Sequence, residues 1–139
     1  MRRNAAAGAD VIKVIASGGS MTPGGADMWE PQFTAEELRV IVEEAHQLGL
    51  PVAAHAHGTS SIRAAVDAGV DTIEHCTWLS GPGGAFQPDE KIAGDIVAVG
   101  IAVCTANANN WRPMAARFGA ERAQQIVGRV GWLAERGFA

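Results

Sequence analysis

Tyrosine is absent from this 139-residue chain, and cysteine occurs only twice. Two cysteines cannot supply the disulfide framework that holds small secreted domains together. No apolar run approaches the roughly 18 residues needed to span a bilayer, so no membrane segment is expected. Lys and Arg number 11 against 15 Asp and Glu, a net charge of −4. The basic residues form no cluster, which argues against nucleic acid or an anionic membrane surface as partner. Low-complexity tracts are missing, and the apolar part of residues 1–8 is too short for a secretory signal. A cytoplasmic chain is the expectation, with Cys76 and Cys104 as buried free thiols in apolar, strand-like contexts.

What is present is a repeated phrase, in which a helix-like stretch ends in glycine and a short β-rich run follows. Gly8 leads into Val11-Ile12-Lys13-Val14-Ile15, and Gly49 into Val52-Ala53-Ala54-His55. Gly69 leads into Thr72-Ile73-Glu74-His75, and Gly100 into Ile101-Ala102-Val103-Cys104-Thr105. A glycine past a helix end supplies the left-handed closing residue, and the apolar runs read as strands buried on both faces. Thr34 and Glu37 spell a capping box for a helix over 35–48, with Leu38, Ile41, Ala45 and Leu48 on one face. Shorter helices are expected over 61–68, with Ile62, Ala65 and Val66 inward, and after Pro88, with Ile92, Ile96 and Val99 inward. A last helix is expected over 120–136.

Strand alternating with helix specifies a parallel α/β sheet with right-handed crossovers. Four such strands make about half of a (β/α)8 TIM barrel, which takes about 250 residues when whole. The chain therefore reads as one domain over 1–139, either a small open sheet or a piece of a barrel. Two long connections, 17–33 and 77–87, follow strands and so lie at the face where parallel α/β proteins keep their sites. Trp29 and Trp78 fall in them.

Three polar residues interrupt the apolar strands. Lys13 comes five residues after Gly8, His55 six after Gly49 and His75 six after Gly69, so similar heights on successive strands are expected. Neutral imidazoles bind zinc and similar metals. A lysine buried in a strand has a lowered pKa and can be neutral. Its free amine can take up carbon dioxide as a metal-bridging carbamate, or attack a carbonyl to form a Schiff base. The residue types leave both chemistries open. His46, on the expected first long helix, reads as a solvated side chain. Asn107, Asn109, Asn110 and Arg112 read as a surface loop, with Arg112 able to hold a carboxylate.

Gly8-Ala9-Asp10-Val11-Ile12-Lys13 with Ala16-Ser17-Gly18-Gly19 resembles the fourth-strand segment of the amidohydrolase superfamily, in the branch of prolidase-like dipeptidases and imidazolonepropionase relatives. Val52-Ala53-Ala54-His55-Ala56-His57-Gly58 resembles its fifth strand, and Gly69-Val70-Asp71-Thr72-Ile73-Glu74-His75-Cys76 its sixth. The gaps of 42 and 20 residues between Lys13, His55 and His75 fit as well. The resemblance is strong over 5–76 and weaker over 88–105. It implies that Lys13 is a carboxylated lysine bridging two divalent metals, zinc by default, and that His55 and His75 hold the second metal. His57 would contact substrate at the scissile carbonyl or a carboxylate, and Ser17, Gly18 and Gly19 would floor the pocket.

The implied reaction is cleavage of an amide or dipeptide C–N bond by a metal-bound hydroxide. The superfamily's His-x-His pair does not precede Lys13, and its catalytic aspartate would lie beyond Ala139. An internal fragment, inactive alone, is therefore expected. A Schiff-base aldolase is the alternative enzyme. A non-catalytic half-barrel that forms homo-oligomers is the alternative without catalysis.

Overall fold

A computed structural model describes residues 1–19, 24–105, 133, 135 and 136. The expected last helix, apart from Leu133, Glu135 and Arg136, lies outside the described residues, as do Asn107, Asn109, Asn110 and Arg112. The elements run α1 (Arg2–Ala6), β1 (Ile12–Ile15), α2 (Ala35–Gln47), β2 (Val52–Gly58), α3 (Thr59–Ala68), β3 (Thr72–Ser80), β4 (Ala85–Phe86), α4 (Glu90–Val99) and β5 (Ala102–Cys104). Strands β1, β2, β3 and β5 lie side by side in that order, all parallel. This is the α/β alternation expected from the glycine phrase, and Gly69 and Gly100 close α3 and α4 in the left-handed conformation.

Local chemistry sets the helix starts. The Thr34 side chain accepts the Glu37 backbone N–H, and the Glu37 carboxylate accepts the Thr34 N–H, which completes the capping box. Asp89 caps α4 by accepting the Ile92 N–H at 3.0 Å. Leu38, Val42 and Ala45 of α2, Ile62 and Ala65 of α3, and Ile92 and Ile96 of α4 pack with Val52, Ala54 and Ile73 into one core. The faces are rotated slightly from the expected ones. Val42 takes the buried place, Ile41 and Val66 are partly buried, Leu48 is at the surface, and Val99 is 65% exposed. Val99 is the final residue of α4.

Two further expectations are corrected. The strands are not buried on both faces: in β1 burial alternates, with Ile12 and Val14 against the helices and Lys13 and Ile15 exposed. The described helices cover one face of the sheet, so β1 buries only that half, whereas β2 over 56–58 and β3 over 76–79 are buried at consecutive residues. Cys104 is likewise exposed while Cys76 is buried. Residues 77–87 are not a plain loop. β3 continues to Ser80 and turns back through Gly81–Gly84 so that β4 pairs antiparallel with it, Leu79 opposite Phe86. Trp78 consequently sits fully buried inside β3 rather than in a connection.

At the far end of the sheet His46 is not simply solvated. Its Nε2 lies 2.9 Å from Asp71 Oδ2, and the same carboxylate oxygen accepts the Val52 N–H at 2.7 Å. Asp71 thereby ties α2 to the starts of β2 and β3. Of the described residues, no helix is long and apolar enough to cross a membrane.

Candidate metal centre

Strand register does not place the three singled-out residues at one height. Lys13 pairs with Ala53, two residues before His55, while His55 pairs with Glu74 and His75 with Ala56. Matching distances from a glycine misjudge parallel register, because the turns between helix and strand differ in length. Two features bring the side chains together all the same. Lysine is long enough to reach up its strand. On β3, alternation alone would send Glu74 and His75 to opposite faces. His75 instead adopts φ 69°, Cys76 φ 45° and Trp78 φ 55°. Left-handed backbone at non-glycine residues is uncommon and costs about 1–3 kcal/mol each. It also opens the pairing, since the next match after Ala56 with His75 is Gly58 with Leu79. The result turns the His75 ring to the side where His55 and His57 lie.

The three rings form a compact group. Their centroids are 4.4 Å apart for His55 and His57, 4.6 Å for His55 and His75, and 4.5 Å for His57 and His75. Each offers a nitrogen within 4.8 Å of the other two. Nitrogens on a tetrahedral zinc with bonds of about 2.0–2.1 Å lie a little over 3 Å apart, so modest ring rotations would close the set on one ion. Burial pushes the imidazoles of His55 and His75 below their ordinary value. Both rings are then neutral at pH 7, the form that ligates metal.

The sequence elements around β1 build the floor. Ala16 and Ser17 donate their N–H groups to the His55 carbonyl, and buried Ser17 Oγ accepts the His57 N–H at 2.9 Å. The Gly18 carbonyl lies 3.3 Å from His55 Nε2, and a side chain on Gly19 would touch the same ring. Residues 24–31 fold over this floor. A Cβ on Gly58 would lie 2.6 Å from the Trp29 carbonyl oxygen, so only glycine fits where β2 enters α3. Gln32 then donates its side-chain N–H groups to the carbonyls of Ser17 and Ile15, at 2.9 and 3.2 Å.

Lys13 is not the buried, unpaired lysine expected. Its side chain is 37% exposed and forms an ion pair with Glu74. The Lys13 ammonium, hydrogen-bonded to it, holds the Glu74 carboxyl below the usual carboxylate range. Three residues of the site were not singled out by sequence: Glu74, Thr77, which contacts His57 Nδ1 at 2.8 Å, and Gln32. Glu74 was legible as a charged residue inside an apolar strand. Thr77 and Gln32 each act through a contact made across the fold.

The amidohydrolase family model matches residues 1–122. An ochratoxinase of Aspergillus niger is 48% identical over 71 residues, which are 51% of this chain and 15% of that protein. The crystal structure of A. niger ochratoxinase superposes with a TM-score of 0.81 at 29% identity, over 99% of this chain and 31% of that one. A Xaa-Pro dipeptidase with methionine bound in its active site gives 0.79 at 28% identity, over 98% of this chain and 34% of that one. The chain thus spans about a seventh of the curated relatives it matches and about a third of the solved ones.

Proposed function

The chain belongs to the amidohydrolase family, and from that premise we propose that it forms the metal-holding side of a barrel that hydrolyses C–N amide or peptide bonds. The observation that carries the reading is the convergence of His55, His57 and His75 from two strands onto one point. His55 and His75 hold one divalent metal, zinc by default, and Ser17, Gly18 and Gly19 floor the space beside it where the substrate amide lies. His57 adjoins both the metal pair and that floor, where a substrate-contacting side chain belongs. When bound, the metal supplies Lewis acidity toward a carbonyl oxygen and toward water. An ochratoxinase and a Xaa-Pro dipeptidase among the relatives support a small amide or dipeptide as the substrate class.

Carboxylation of Lys13 belongs to the same proposal, with a condition attached. Its nitrogen must bond to the carbon of carbon dioxide and lose a proton, and in the structure that nitrogen is taken up by the ion pair with Glu74. A carbamate there would also stand beside a like charge. Lys13 therefore bridges metal only after Glu74 is drawn away or neutralised. The Schiff-base alternative gains nothing from the site, because that chemistry has no use for three converging imidazoles.

The test is zinc binding by the chain, measured in competition with a chromophoric chelator, with 13C-bicarbonate present for NMR. One equivalent of zinc is expected. His55→Ala and His75→Ala should each weaken it beyond the roughly 10–100-fold typical of outer-shell changes. A carbamate carbon signal should strengthen in Glu74→Gln and vanish in Lys13→Ala. Zinc affinity indifferent to both histidine changes would refute the metal centre.

A further inference from the structure

At the starts of β3 and β5, the end of the sheet opposite the histidines, a pocket of about 260 Å³ lies between the C-terminal ends of α3 and α4. Its walls combine apolar side chains with hydrogen-bond acceptors. Val66, Val70, Val99 and Ile101 form the sides, and the closing glycines Gly69 and Gly100 place both helix ends in the lining. The last carbonyls of a helix have no intrahelical donor, and the macrodipole makes that end partly negative. Two such ends meet at one space here, and neither helix has a basic residue in its last turn. Asp71 adds a carboxylate to the wall. Burial raises its carboxyl, yet the hydrogen bonds from the Val52 N–H and His46 outweigh it, so the group is ionised at neutral pH. The lining holds no lysine or arginine to answer these acceptors. Arg63 of α3 is paired with Asp67 and Asp95, and Lys91 of α4 with Asp95.

We propose that this pocket is a docking site for an arginine side chain presented by a segment of a partner protein. Arginine divides as the pocket does. Its aliphatic stem suits the valine and isoleucine walls, while its head carries five fanned N–H donors for the Asp71 carboxylate and the helix-end carbonyls. The guanidinium is always charged and more weakly hydrated than an ammonium, so leaving water costs it less. At about 260 Å³ the space falls just short of the roughly 300–1,000 Å³ of pockets for drug-sized ligands, which suits one long side chain. The surface outside favours a protein segment over a free amine. Val97 is 46% and Val99 65% exposed at the end of α4. A backbone flanking the arginine would cover this apolar margin, and a free amine would leave it bare. The net charge of −4 also favours the approach of a basic segment.

The experiment is titration of the 15N-labelled chain with acetyl-alanyl-arginyl-alanine amide at neutral pH and low salt, read by 1H–15N correlation NMR. The backbone signals of Gly69, Asp71, Gly100 and Ile101 should shift together, with a millimolar Kd. The same peptide with citrulline in place of arginine keeps the shape and loses the charge. It should bind at least about tenfold more weakly, as expected when a hydrogen bond between charged groups is lost. Asp71→Asn keeps an oxygen for the Val52 N–H and should weaken the arginine peptide by a similar factor. Val99→Lys, at an exposed position, should do the same by setting a positive charge at the rim. Citrulline that binds as tightly as arginine overturns the recognition of charge without need of any variant. Free agmatine that binds as tightly as the peptide overturns the protein partner and marks a small-amine site instead. Shifts confined to other parts of the chain, or none at millimolar peptide, overturn the pocket as a binding site.

Discussion

Replacing Gly18 with alanine tests whether the fold over the site floor is as tight as the structure has it. A Cβ at Gly18 would stand 1.8 Å from the Ala26 carbonyl oxygen and 2.4 Å from both the Ala26 carbonyl carbon and the Asp27 oxygen. All three atoms are backbone, so no side chain can swing clear, and the segment over 24–31 must retreat by more than an ångström. That segment is pinned to the same place. Gly18 donates its N–H to the Glu30 carbonyl at 3.2 Å, Gln32 donates to Ala16 at 3.0 Å, and Ser17 bridges to Pro31. Overpacking of this kind costs about 1–3 kcal/mol, and one strained or broken hydrogen bond adds about 1 kcal/mol. A loss of about 2–4 kcal/mol is expected. For a chain of this size it lowers Tm by roughly 6–16 °C. Gly19→Ala is the control, because among the described residues its Cβ would meet only the His55 ring, at 3.7 and 3.8 Å. It should stay within about 0.5 kcal/mol of wild type. Far-UV circular dichroism during thermal and urea unfolding reads both. A Gly18→Ala chain that melts within about 2 °C of wild type would refute the close approach and the floor built on it.

Two further outcomes follow from other parts of the molecule. Cys104 is exposed, whereas burial pushes the Cys76 thiol up to about 12. A chromogenic disulfide reagent at pH 8 should therefore titrate one thiol in the folded chain and both in guanidinium; two fast thiols before unfolding would contradict the buried β3. Burial raises the Asp71 carboxyl, but the hydrogen bonds from Val52 and His46 outweigh it and leave the group depressed. A folded-state value below the unfolded one stabilises above about pH 4 and fades as pH falls through the folded value. Asp71→Ala should lower the urea midpoint at pH 6–7, with the gap to wild type closing by about pH 2–3; a gap that persists there would show that Asp71 acts through packing.

Much of this was written locally. Glycine after each helix, the Thr34–Glu37 box and the apolar faces depend on residues one to four places apart, and the alternation of strand and helix follows from them. The candidate ligands were legible for a related reason. A histidine or lysine inside an apolar strand is anomalous wherever the strand goes, so Lys13, His55 and His75 declared themselves before their neighbours were known. What those residues meet was not legible. The height of Lys13 depends on parallel register, which is set by the helices between strands. The inward turn of His75 depends on three left-handed residues that no local propensity favours. The strand propensity of Thr77-Trp78-Leu79-Ser80 is masked by the glycines that follow, so the expected strand ends sooner than β3 does.

The sequence by itself determined the α/β order, the family and the residue types able to hold a metal, because periodicity, caps and strand-embedded polar groups are properties of short stretches. Only the tertiary structure decided that Lys13 is paired with Glu74, that the His57 ring lies against those of His55 and His75, and that Thr77 meets its Nδ1. Each of those is a contact between strands, and such contacts exist only once register and backbone twist have been fixed by packing.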